Sequence, residues 1–231
     1  MEGSRALPSK PPLCDTTSDC ILYYILFLVL SRVSGLYQAN EGKTILIING
    51  AGGVGSVATQ LAANAGLTVI ASASRPESIN WVNEHGAKYT VNHRNNLVDE
   101  VRNLGYKYVD YILELKDLDN HWKEMCELIK PEGAIASITE NRRPINLRLL
   151  TTKKATFAWE WMYTKSYYHT DDMQTQHEIL NKIAQLIDEG ILKCTLTQSL
   201  SPLNATNLRK AHSLIESGHM IGKVVVSGWE D

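Results

Sequence analysis

The chain has 231 residues, 44% hydrophobic and 21% charged, with a formal net charge of −2 and a pI near 6.4. This is the balance of a soluble globular protein, long enough to bury a core and to form one large α/β domain or slightly more. It lacks the basic footprint of a nucleic-acid binder, so no nucleic acid is expected as a partner and any phosphate recognition must be local. Cys14, Cys20, Cys126 and Cys194 form no CxxC pair and no metal-ligand spacing with the histidines, so no metal is expected. They read as reduced cysteines of a cytoplasmic protein.

Residues 1–40 differ from the rest. Met1 to Asp19 is rich in Ser, Pro and Thr, and Cys20 to Leu30 is an unbroken apolar run. As a helix that run would span about 16 Å against about 30 Å for a bilayer core, so it is not a membrane span. Arg5 and Lys10 before it would suit a signal peptide, but Asp15 and Asp19 sit against its start. A buried or oligomer-contact segment is the expected reading.

The most informative segment follows. Thr44 to Ile48 is a short β-branched apolar run of the kind found in a parallel sheet covered on both faces. Gly50, Gly52 and Gly55 then satisfy GxGxxG: a tight turn, a close backbone approach to a pyrophosphate, and close packing of the next helix on the strand. Val54 to Asn64 has apolar residues at helical spacing, with Gly66 as its stop, and Leu67 to Ala71 is a second strand. Strand, glycine turn, helix and strand form the βαβ unit of a dinucleotide-binding domain, with the helix start facing the phosphates.

The end of the second strand commonly carries an acidic residue for a ribose 2′-OH. Here it reads Ala71-Ser-Ala-Ser-Arg75-Pro-Glu77, with Ser72, Ser74 and Arg75 offering donors and positive charge suited to a 2′-phosphate. NADPH is therefore favoured over NADH. The same residues also suit a solvated helix start, with Pro76 in the first turn, and the two readings are compatible.

The alternation continues. A helix is expected near Pro76 to His85, a strand ending at His93, a helix from Asn95 to Gly105, and a strand from Tyr108 to Leu115. Next come a helix from Leu118 to Ile129 stopped by Pro131, a strand from Ala134 to Thr139, and an aromatic-rich strand from Ala155 to Met162. Gln174 to Gly190 is an amphipathic helix with Ile179 and Ile183 inward. Leu196 to Leu200 and Lys223 to Ser227 read as strands flanking a helix from Ala205 to Glu216. The expected fold is α/β with a doubly wound parallel sheet, whose ligands sit outside the carboxyl ends of the strands. That rule nominates Gly52, Gly53, Val54, Ser72, Ser74, Arg75, Asn92, His93, Leu115, Ser137 and Thr139. HExxH, GxSxG and GxxxxGK[ST] are absent, and His121, His177 and His212 read as surface helix residues. Hydride transfer by the cofactor is the implied chemistry, with no catalytic residue identified.

NGAGGVGSVATQLA, TVIASASRPES, GAKYTVNHR, LIKPEGAIASI, ATFAWEWM and LRKAHSLIESGHMIGKVVV together resemble the zinc-type alcohol dehydrogenase-like branch of the medium-chain dehydrogenase/reductase superfamily. Within it they lie close to the NADPH quinone oxidoreductases, and the resemblance runs from about Asn40 to Val226. It implies metal-free, NADPH-dependent reduction of a quinone or an enone-like, electron-poor double bond. It also implies that Gly52, Gly53 and Val54 hold the pyrophosphate and nicotinamide side, and that Ser72, Ser74 and Arg75 hold the 2′-phosphate. His93 falls where quinone reductases place a tyrosine.

The family begins with a GroES-like barrel that carries the substrate contacts, and only residues 1–40 stand before the Rossmann strand here. A truncated reading frame or a start in the wrong frame is the expected cause. The division is then 1–40 as an atypical segment, 41–190 as the NADP-binding Rossmann domain, and 191–231 as an incomplete remnant that would complete the catalytic domain. With Thr195 to Ser227 deprived of its partner sheet, poor solubility or a homo-oligomer is expected. A non-catalytic NADPH-binding module and a fragment without function are the alternatives to an oxidoreductase.

Overall fold

Strand β1 (Thr44–Ile48) is buried along its whole length, and its side chains divide by the two-residue period of a strand. Ile45 and Ile47 enter one core, Leu46 and Ile48 the other. The run TILII therefore shows no polar alternation, because both faces of the strand are covered. The computed structural model describes residues 42–229, so the apolar run at Cys20 to Leu30 and the remainder of 1–40 lie outside the described residues.

After β1 come α1 (Gly53–Asn64), β2 (Thr68–Ser72), α2 (Pro76–Glu84), β3 (Tyr89–Val91), α3 (Leu97–Asn103), β4 (Val109–Glu114), α4 (Leu118–Leu128) and β5 (Ile129–Ser137). The chain continues through α5 (Arg148–Thr151), β6 (Thr156–Trp159), α6 (Thr164–Tyr168), α7 (Gln174–Asp188), β7 (Leu196–Leu200), α8 (Ala205–Glu216) and β8 (Lys223–Val226). The first six strands form one sheet in the order β3-β2-β1-β4-β5-β6, every neighbouring pair parallel. The expected doubly wound Rossmann sheet is present, and its order reverses between β1 and β4. At such a switch the loops leaving the two strands diverge to opposite faces and open a crevice at the carboxyl ends.

Three departures from the sequence reading have physical causes. The helix before Pro131 stops at Leu128, and Pro131-Glu-Gly133 lies inside β5. Ile129 pairs with Val109, the register shifts, and Ala134 pairs with Tyr111, so the proline occupies an irregularity where no ladder donor is needed. Helices α5 and α6 are single turns, too short to give a periodic pattern. The C-terminal strands, expected to have lost their sheet, pair with each other: β7 and β8 form a two-stranded parallel sheet with Leu200 opposite Val226.

The glycine turn is the tightest point. A Cβ on Gly55 would stand 2.2 Å from the Asn49 carbonyl oxygen and 2.6 Å from that of Gly50, both backbone atoms that cannot swing aside. Gly55→Ala should therefore push α1 off β1 and cost about 3 kcal/mol or more. The check is denaturant unfolding, with an unchanged midpoint counting against this packing.

Candidate functional site

Asn49 leaves β1 in the left-handed region at φ 68°, a conformation that Asn tolerates better than most residues. Its N–H donates to the Ser72 hydroxyl (2.8 Å), the Gly50 N–H donates to the Ser72 carbonyl (3.0 Å), and the Gly52 N–H donates back to Asn49 (3.2 Å). The turn is thus moored to the end of β2. Helix α1 starts at Gly52 with no side-chain cap among the described residues and no acidic residue in its first turn. Helices α3, α4 and α8 are capped by Asn96, Asp117 and Asn204. An uncapped start behind a glycine turn leaves N–H groups for an anion. A side chain at Gly52 would point at the Asn49 amide, 2.8 Å from its nitrogen.

Beside this turn a cavity of about 360 Å³ is lined by Gly52, Ser72, Ser74, Arg75 and His93 together with Arg94, Lys116 and His219. Among the described residues no carboxylate lines it. Arg75 begins α2, with the Ser78 hydroxyl accepting its N–H (3.2 Å), so the helix-start reading of this segment holds as well. Its guanidinium donates to the His219 carbonyl (2.7 Å), one acceptor for a group with five donors. The Ser72 hydroxyl lies 3.2 Å from His93 Nδ1. The Ser72 hydroxyl, which accepts the Asn49 N–H, therefore also holds the orientation of the His93 ring. Burial holds the His93 pKa below its ordinary value, and the positive charges of Lys116, His121 and Arg94 push it the same way. An entering anion would reverse that electrostatic contribution.

The structure does not gather every nominated residue here. Gly50 and Gly55 serve the turn itself: a Cβ on Gly50 would meet the Ala71 Cβ at 2.8 Å. Gly53 faces the Lys223 side chain, whose Cε would lie 2.6 Å from an added Cβ, and Val54 packs against the core. Leu115 is a core residue at the end of β4. Ser137 is fully buried, and its hydroxyl and that of Thr139 both donate to the Glu114 carboxylate.

Arg94, Lys116 and the Ser217–Met220 segment were missed. Arg94 and Lys116 stand one residue beyond the nominated His93 and Leu115, so reading one step further past each strand would have found them. His219 arrives from a distant part of the chain and gives no local signal.

Two other cavities bear on function. One of about 460 Å³ opens at the ends of β5 and β6, lined by Ile138, Glu140, Asn141, Trp159, Glu160 and Trp161. A larger one, about 730 Å³, lies along α4 and residues 143–149. Its Cys126 thiol is pushed up to about 11 by burial. The described residues contain no group of three His, Cys, Asp or Glu side chains able to hold a metal ion. A zinc site does not fit them.

Residues 85–226 match the family of zinc-binding dehydrogenases. A zinc-type alcohol dehydrogenase-like protein of Staphylococcus aureus (strain MSSA476) is 41% identical over 207 residues, covering 90% of this chain and 62% of the relative. The chain therefore spans less than two thirds of that protein. A Rhizobium etli structure provisionally named a zinc-dependent alcohol dehydrogenase is 35% identical, with a TM-score of 0.88 over 97% of this chain and 66% of its own. Escherichia coli quinone oxidoreductase complexed with NADPH shares the fold at 20% identity, with a TM-score of 0.72 over 90% of this chain and 63% of its own.

Ser72→Ala should leave the Asn49 N–H without its acceptor and cost about 1–3 kcal/mol in unfolding free energy. A stability equal to wild type in urea titration would contradict the mooring.

Proposed function

This chain belongs to the zinc-binding dehydrogenase family of the medium-chain dehydrogenase/reductases, and we propose that it binds NADPH along the carboxyl ends of its sheet for reduction of a quinone or another electron-poor double bond. The observation that carries the reading is the cavity at β2 and β3. Ser72, Ser74, Arg75 and His93 converge there with Arg94 and Lys116, and among the described residues no carboxylate lines the space. A ribose 2′-OH would be served by an acidic residue, whereas a 2′-phosphate needs this set of donors and charges.

In this reading Gly52, Gly53 and Val54 present the start of α1 to the pyrophosphate, while Gly50 and Gly55 keep the turn tight enough to allow it. Ser72, Ser74, Arg75 and His93 hold the 2′-phosphate. Leu115, Ser137 and Thr139 flank the nicotinamide half at the ends of β4 and β5, Ser137 by supporting backbone position. Bound NADPH supplies a hydride. The protein holds the donor in place and shields it from water. Residues 41–190 act as the cofactor domain, 191–231 belong to the substrate-side domain, and 1–40 are an atypical addition.

A homo-oligomer is part of the proposal. Strand β6 lies at the sheet edge, and exposed Trp159, Trp161, Tyr163, Tyr167 and Tyr168 follow along it, a pattern that favours association. Among the described residues no helix is long and apolar enough to cross a membrane.

Calorimetric titration with NADPH and NADH tests the reading. NADPH should bind and NADH should bind more weakly, and absence of NADPH binding would refute the proposal. Binding without turnover of a quinone would leave the chain a cofactor-binding module. Arg75→Ala should weaken NADPH roughly 10- to 100-fold, from the loss of charge-assisted hydrogen bonds, and leave NADH nearly unchanged. Equal losses for both cofactors would count against the 2′-phosphate role.

A pH dependence follows from His93. Its pKa is lowered in the free site and is raised by a bound phosphate, so binding takes up a proton. NADPH affinity should then rise as pH falls from the alkaline side towards the ordinary histidine range, before the phosphate itself protonates at about 6. His93→Gln should flatten that slope.

A further inference from the structure

Glu114 is the last residue of β4 and is completely buried. Four donors converge on its two carboxylate oxygens. Oε1 accepts the N–H groups of Lys116 (2.6 Å) and Asp117 (2.5 Å), the first residues of the loop leaving β4. Oε2 accepts the hydroxyls of Ser137 (2.9 Å) and Thr139, at the end of the neighbouring strand β5. The Ser137 hydroxyl also accepts the Thr139 N–H at 3.1 Å, so the backbone leaving β5 is held as firmly as the backbone leaving β4. The Glu114 carbonyl accepts the Ile138 N–H at 3.2 Å, extending the ladder one step beyond the strand.

A charged side chain is rarely placed where no solvent reaches unless its partners are complete, and these are. The apolar alternative at this site would leave the Lys116 and Asp117 N–H groups unpaired in the interior. Stability alone would accept many ways of satisfying two N–H groups. This arrangement does something more specific, because it joins two loops that lie next to the crevice. One carries Lys116 into the cavity of the cation cluster. The other leads from Ser137 into Ile138 and Glu140, which line the cavity at the ends of β5 and β6. The sheet order puts β1 and β4 between β2 and the β5–β6 cavity, so a dinucleotide whose phosphate end lies at β2 and β3 must cross over them to reach it.

We infer that Glu114 is a positioning residue: it fixes the β4 and β5 loops at the height that lets the nicotinamide half of the cofactor pass from the cation cluster to the β5–β6 cavity. The inference rests on the NADPH reading above. Glu114 does not touch the cofactor. It acts through the backbone at Lys116 and through Ser137 and Thr139, and through them it sets where the hydride donor lies.

The test compares NADPH with adenosine 2′,5′-bisphosphate, which carries only the 2′-phosphate half, on wild-type protein, Glu114→Ala and Glu114→Gln, with amide exchange at Lys116, Asp117 and Thr139 as an independent readout. Glu114→Ala should lose about tenfold or more in NADPH affinity while the bisphosphate loses only the clearly smaller part that depends on Lys116, since displacement of about 1 Å is enough to spoil a positioned contact. The same variant should exchange those three amides faster than the rest of the sheet. Glu114→Gln should recover most of both losses, because its amide oxygen can still accept the two N–H groups and the Ser137 and Thr139 hydroxyls can turn to accept its NH₂.

Should Glu114→Ala fail to fold, Thr139→Val removes one of the four donors and should give the same selective loss on a smaller scale. Parallel losses for both ligands, or none for either, would overturn the inference and leave the NADPH reading intact. Failure of wild-type protein to bind NADPH would overturn both, and the exchange data would then report a purely structural clamp.

Discussion

The close contact between helix α1 and strand β1 is the constraint on which the rest depends. With no Cβ at Gly55, the helix start lies against the carbonyls of Asn49 and Gly50, and the first N–H groups of α1 come level with the end of the sheet. Ser72 ties the same turn to β2 through two hydrogen bonds, so the helix start and the cation-lined cavity are fixed in one frame. The central strand has no freedom to adjust, since it is buried on both faces and paired on both edges. A cavity of this kind owes its geometry to packing at a distance from its own lining.

The charges follow the same economy. The chain as a whole is slightly acidic, yet Arg75, Arg94 and Lys116 with two histidines surround a single cavity. All but His219 come from loops after β2, β3 and β4, which parallel strands deliver to one end of the sheet. Position in the topology concentrates them. The far segment Ser217–Met220 adds the other wall, and the Gly222 N–H donates to the Ala51 carbonyl at 3.0 Å, so the C-terminal part is stitched to the glycine turn.

Much of this was legible in the residues. The TILII run, the three glycines and the apolar spacing of α1 each had one physical reading, and they agreed with one another, which is why the βαβ unit stood out. The hydroxyls and guanidinium after β2 stood out because a carboxylate is common at that position and is absent from Ser72 to Arg75. Glu114 could not be found in the same way: within YVDYILEL an acidic residue looks like a solvent-facing break, and only the three-dimensional meeting of β4 and β5 explains its burial. The β5 irregularity hid for a related reason, since Pro131-Glu-Gly133 is equally good grammar for a helix stop. Side chains that arrive from far along the chain, such as Lys223 and the His219 carbonyl, leave no local trace.

The strand order also has a consequence for how the polypeptide emerges from a ribosome. Thr44 of β1 meets Asp110 of β4 across 66 intervening steps of chain, while β2 follows β1 almost at once. At about 5–20 residues per second, the most apolar strand of the sheet waits about 3–13 s for the neighbour that closes its second edge. During that interval Leu46 and Ile48 face a core whose other members, in α3, β4 and α4, have yet to be made. The nascent chain should be most open to proteolysis in that window and gain protection once β4 has cleared the exit tunnel.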